Sequence, residues 1–175
     1  MPMQLTDLPS PLLARLLAEA EMTPRDCALL ALQAGNRTLS HAVHSHLSPL
    51  LLLAAADGDT RRIWKLVQGG ANPDAVDARL GRSALQLACR SGVPWSCKLL
   101  LQAGAKPGQD CVEAAIEGSP ASGSRRPKAS RLIVQELLRH GAAPTAAALA
   151  LAVWTGDLAI AKMLLSAGAP AGEFL

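Results

Sequence analysis

At 175 residues, 50% hydrophobic and 18% charged, the chain is too apolar for disorder and long enough for one domain or a small domain with an appendage. Alanine and leucine number 64 against 17 for valine, isoleucine and threonine, which excludes a strand-rich fold and points to an all-α protein. The net charge of +3 is uneven: residues 1–60 hold three basic and six acidic side chains, while 61–139 hold thirteen basic and six acidic and suit an acidic protein surface or another polyanion.

Residues 1–48 open with Leu8-Pro9 and the run Leu12, Leu13, Leu16 and Leu17, spaced for one face of a helix. Thr23 is placed to cap a second helix with Pro24 at its first position. Asp7 and Pro9 interrupt any signal-peptide core. The apolar run Leu50 to Ala56, like every other in the chain, falls far short of the roughly 18 residues that cross a bilayer. Neither membrane insertion nor secretion is expected, and the location implied is intracellular, cytoplasmic or nuclear.

Cys27, Cys89, Cys97 and Cys111 have neither CxxC nor disulfide-framework spacing, so they read as free thiols of a reducing compartment. His41, His44 and His46 form the one histidine cluster, but no carboxylate follows nearby to serve as a general base. No P-loop, GxSxG or dinucleotide motif occurs. The expectation is a non-enzymatic chain with no catalytic set, cofactor or metal. The middle region also lacks Phe and Tyr for base stacking, which argues against nucleic acid as its partner.

The dominant feature is internal repetition. Leu53-Ala-Ala-Ala-Asp-Gly58, Leu87-Ala-Cys-Arg-Ser-Gly92 and Leu151-Ala-Val-Trp-Thr-Gly156 share one pattern. Twelve residues after each glycine stands a Gly-Ala pair, at Gly70-Ala71, Gly104-Ala105 and Gly168-Ala169, and a further pair lies at Gly141-Ala142. Glycine that accepts a left-handed conformation ends a helix sharply, so each unit predicts two short helices, each closed by glycine. Pairs this small cannot bury an apolar face alone and must stack.

Ser83-Ala-Leu-Gln-Leu-Ala-Cys-Arg-Ser-Gly92 followed by Val93 to Ala105 resembles the ankyrin repeat, whose period is about 33 residues. The resemblance covers residues 49–170 and implies a helical solenoid of about four repeats, with 1–48 as a short helical N-terminal segment and 49–175 as the repeat domain. The 22 residues from Gly70 to Gly92 leave room for the family's projecting hairpin finger, while the shorter spacings before Gly118 and Gly156 imply clipped turns. An inserted loop is expected at about 119–129, Pro-, Gly- and Ser-rich and ending in the basic run Arg125-Arg126-Pro-Lys128, with Ser130 beside it as a kinase target or the run as a nuclear localisation signal.

Such a fold implies protein recognition through a concave surface. The matching positions are Asp57, Asp59, Asp77, Arg79, Arg82, Gln86, Arg90 and Trp154, and the three arginines suggest a partner bearing carboxylates or phosphates. Trp64 and Trp95 map to second-helix positions that face solvent in this family, unless the N-terminal segment or the inserted loop covers them. Residues 5–40 resemble the F-box in their Leu-Pro, paired leucines and Pro-x-Asp step, which implies as an alternative a substrate receptor of a cullin-type ubiquitin ligase docking a Skp-type adaptor. The last two helices carry only Asp157 and Lys162 as charged residues, so their flank is expected to be covered by Phe174 and Leu175, by self-association or by further repeats.

Overall fold

The computed structural model describes residues 37–118 and 127–170, and every regular element among them is helical. In chain order these are α1 (Arg37–Asp57), α2 (Thr60–Gln68), α3 (Ala84–Ser91), α4 (Pro94–Gln102), α5 (Cys111–Glu117), α6 (Pro127–Arg139), α7 (Ala146–Trp154) and α8 (Leu158–Ser166). The two helices expected before residue 37, and with them the F-box-like segment up to that point, lie outside the described residues. α1 runs unbroken through Pro49, so the helix that opens the repeats begins well before the change of pattern at residue 49.

Each helix is set by local chemistry. The Asp59 carboxylate caps α2, accepting from the N–H groups of Arg61 and Arg62. Ser83 and Gln86 form a reciprocal capping box on α3. Val93 offers no side-chain cap to α4, which instead starts with Pro94 in its first turn. Thr145 caps α7 and Asp157 caps α8, and Arg131 of α6 donates to the Asp157 carboxylate at 3.0 Å.

The four Gly-Ala closures superpose bond for bond. Gly70, Gly104, Gly141 and Gly168 all have φ between 84° and 94°. Each following alanine donates to the carbonyl five residues back, as in Ala105 to Leu100 at 3.0 Å, and all four alanines are buried. Gly118 differs. Its φ is −70°, so no left-handed turn requires glycine there, but a Cβ would stand 2.3 Å from the Arg90 carbonyl oxygen. Close approach of α3 and α5, rather than backbone strain, reserves that position for glycine.

Contacts are strongest within each pair (α1–α2, α3–α4, α5–α6, α7–α8) and between successive pairs, α1–α3–α5–α7 along one row and α2–α4–α6–α8 along the other. The core lies between the rows. Leu47, Leu51, Ala54 and Ala55 of α1 enter it at helical spacing, and Leu85, Leu100, Val112, Ile133, Leu137, Ile160 and Leu164 continue it to the far end. Fully burying one such leucine or isoleucine is worth roughly 1.5–3 kcal/mol. Of the stretch expected as an inserted loop, Pro127, Lys128 and Ala129 belong to the first turn of α6, and residues 119–126 lie outside the described residues. No described helix is long and apolar enough to cross a membrane.

Candidate interaction surface

The segment between α2 and α3 folds into a short hairpin whose tip, residues 78–81, is exposed. Asn72 turns the chain by accepting from the Asp74 N–H, and Val76 and Ser83 form a single antiparallel bridge. The Asp77 N–H donates to the Arg82 carbonyl at 2.8 Å, and the Asp77 carboxylate accepts from the N–H groups of Arg79 and Leu80 to close the tip. This is the hairpin expected between Gly70 and Gly92. The two later connections contain no such bridge among the described residues.

The hairpin tip divides two grooves. On one side α1 and the hairpin enclose an open apolar groove of about 460 Å³, walled by Leu52, Leu53 and Ala56 against Val76 and Leu80, with Leu87 lining it and Asp77 and Arg79 at its edge. Leu53, Val76 and Leu80 are each more than half exposed there. On the other side a polar groove of about 320 Å³ runs between α3 and α5, where Arg82, Gln86 and Arg90 face Asp110, Glu113 and Glu117.

The three arginines expected to meet one anionic partner are divided between the two grooves. Arg79 borders the apolar groove, whereas Arg82 and Arg90 line the polar one. Arg90 is paired with Glu117 at 3.3 Å, and the Gln86 amide reaches Asp110 at 3.4 Å. The polar groove therefore carries two cations and three carboxylates. The carboxylates were legible as an i, i+3, i+7 stripe, the spacing that places side chains on one helix face. What the chain pattern alone does not show is that this face looks back at α3.

Other candidates separate into structural and free groups. Asp59 is consumed as the cap of α2, and Asp77 holds the hairpin tip. Gln86 serves the α3 capping box through its carbonyl oxygen while its amide faces the groove. Asp57 is exposed at the end of α1, and Trp154 is 83% exposed at the end of α7; neither lines a groove. Trp64 and Trp95 are open to solvent at 52% and 66%, and the Lys98 ammonium stacks 5.3 Å from the Trp95 ring. Ser130 is only 3% exposed inside α6, and Arg131 beside it is committed to Asp157. Burial of the hydroxyl overturns its reading as a kinase target.

Cys89, Cys97 and Cys111 meet in the core, one each from α3, α4 and α5, all fully buried as free thiols. The Cys97 thiol lies 3.7 Å from that of Cys89. Hydrogen bonding with Cys111 and then Cys97, reinforced by burial, pushes the Cys89 thiol well above the usual range. A buried thiol that resists ionisation is a poor nucleophile, whereas the hydrogen bond with Cys89 pulls the Cys111 thiol below its ordinary value. Cys27 and the side chains of His41 and His44 lie outside the described residues; among the described residues no cluster of metal-ligating side chains occurs. No model of a known protein family matches the sequence, and no curated protein matches it either.

Proposed function

We propose that this chain is an ankyrin-type repeat protein of about four repeats that recognises a protein partner without catalysis, using the two grooves beside the hairpin between α2 and α3. The observation that carries the reading is the exposed tip itself: Leu80 stands between an apolar groove and a groove lined with charge of both signs. The equivalence of the four Gly-Ala closures supports the repeat assignment. Apolar anchors supply most of the binding energy at such sites, and paired charges around them set specificity.

The partner that fits is an extended or helical segment with one apolar side chain for the groove of Leu53, Val76 and Leu80. An acidic or phosphorylated group next to it meets Arg79 and Arg82, which carry no ion pair among the described residues. Arg90 is matched internally by Glu117 and adds orientation more than attraction. A basic group on the same segment suits the Asp110, Glu113 and Glu117 side.

Proximity labelling in cells, with the parent chain beside a Leu53→Asp/Leu80→Asp variant and an Arg79→Glu/Arg82→Glu variant, tests this directly. Each pair lies on the surface, so helicity by circular dichroism should be unchanged. Neighbours labelled by the parent and lost from both variants are the expected result. An identical labelled set for all three would place recognition on another face.

A further inference from the structure

Aligning the helices on their closing glycines exposes a mismatch at the far end of the stack. Three residues before the glycine that ends the first helix of each pair stand Ala55, Cys89, Ala115 and Val153. The first three are 0% exposed and Val153 is 62% exposed. On the second helices the matching position is held by Val67, Leu101, Leu138 and Leu165; Val67 and Leu138 are half-buried, Leu101 is 4% exposed and Leu165 48%. Gly58 and Thr60 show what covers that end of a pair, because the Gly58 carbonyl and the Thr60 hydroxyl both meet the Ser96 hydroxyl on the next pair's second helix, and Gly156 and Leu158 hold the equivalent places in the last pair. The surface of α7–α8 that includes Val153 and Leu165 is thus the continuation of the face by which each earlier pair holds its successor.

We infer that this flank is a self-association surface, occupied by the α7–α8 flank of a second copy related by a two-fold axis. Its shape is already that of a helix pair built to receive another helix pair. Its chemistry is self-compatible. α7 has no charged residue, α8 has only Lys162, and Asp157 at their junction is held by Arg131. Val153, Trp154, Leu158 and Leu165 are all exposed, so a two-fold contact sets apolar surface against apolar surface. Homodimer interfaces are more apolar than those of transient partners, which suits this run of exposed aliphatic and aromatic side chains.

Sedimentation velocity of the full chain, from low micromolar to hundred-micromolar concentration, provides the test. The expected result is a reversible species of twice the chain mass, abolished by Val153→Asp/Leu165→Asp with the helical circular dichroism retained. A strict monomer at every concentration overturns the inference, as does a dimer that survives the double substitution. Species that keep growing with concentration overturn the two-fold geometry, since only a head-to-tail contact is open-ended. A monomer that begins to dimerise once residues 171–175 are deleted also overturns it, by assigning the flank to the chain's own last residues.

Discussion

Two glycines illustrate two different physical reasons for the same residue. Gly104 has φ +94° and open space around it, so a substitution there costs backbone strain alone, about 1–3 kcal/mol for valine. Asparagine tolerates the left-handed region, so Gly104→Asn should recover much of that loss. Gly118 has ordinary φ but no room beside the Arg90 carbonyl, so Gly118→Asn should be as damaging as Gly118→Val. Urea unfolding of the four variants checks this, and rescue by asparagine at both positions would contradict it. At Cys89 the folded thiol titrates above its unfolded value of about 8.5. The native state therefore holds its proton longer; the resulting stabilisation is complete below the unfolded pKa and is lost as pH rises through the folded one. Cys89→Ala places the residue found at the equivalent Ala55 and Ala115, so it should fold and lose less stability between neutral and strongly alkaline buffer than the parent. Equal losses in the two proteins would remove Cys89 as the source.

At the scale of elements, α8 depends on a single carboxylate. Asp157 accepts from the N–H groups of Ala159 and Ile160 and from the Arg131 side chain, so one residue both starts the helix and ties it to α6. Asp157→Ala should cost about 1–2 kcal/mol through the lost cap. Arg131→Ala should cost less, under about 1 kcal/mol, because the guanidinium side of the pair is 42% exposed and screened by water. A larger loss for the arginine variant in thermal unfolding would mean that the ion pair, not the cap, holds the helix. The hairpin shows the same economy. One carboxylate, Asp77, and one bridge hold its tip, which leaves Leu80 and Arg79 free for a partner.

Over the whole molecule, stability should grade with position in the stack. α3 and α5 are flanked in their row on both sides, whereas α7 has α5 on one side only among the described helices. In a file of pairs joined by nearest-neighbour contacts, the ends open first. Native-state hydrogen exchange is expected to protect the amides of Leu87 to Cys89 and of Ala114 and Ala115 most strongly, and those of α7 and α8 less. Uniform protection from α3 to α8 would indicate one all-or-none unit instead of coupled pairs.

Much of this architecture was legible before any coordinates. The glycine register placed the helix ends, because a left-handed closing residue is a local demand that no distant contact can supply. Alanine and leucine content set the helical class, and the longer gap between Gly70 and Gly92 foretold the hairpin. Three features were settled only by tertiary packing. The carboxylates Asp110, Glu113 and Glu117 face Arg82 and Arg90 across a groove between consecutive pairs, so the charge of that surface belongs to neither stretch of sequence alone. Ser130 is hidden although Lys128 and Arg131 stand close to it in sequence, since helix phase rather than local composition decides which side of α6 it occupies. The three cysteines, spread over 23 positions from Cys89 to Cys111, meet only because α3, α4 and α5 converge on one core. Local backbone chemistry is written residue by residue along the chain, whereas which faces meet depends on how the helices stack.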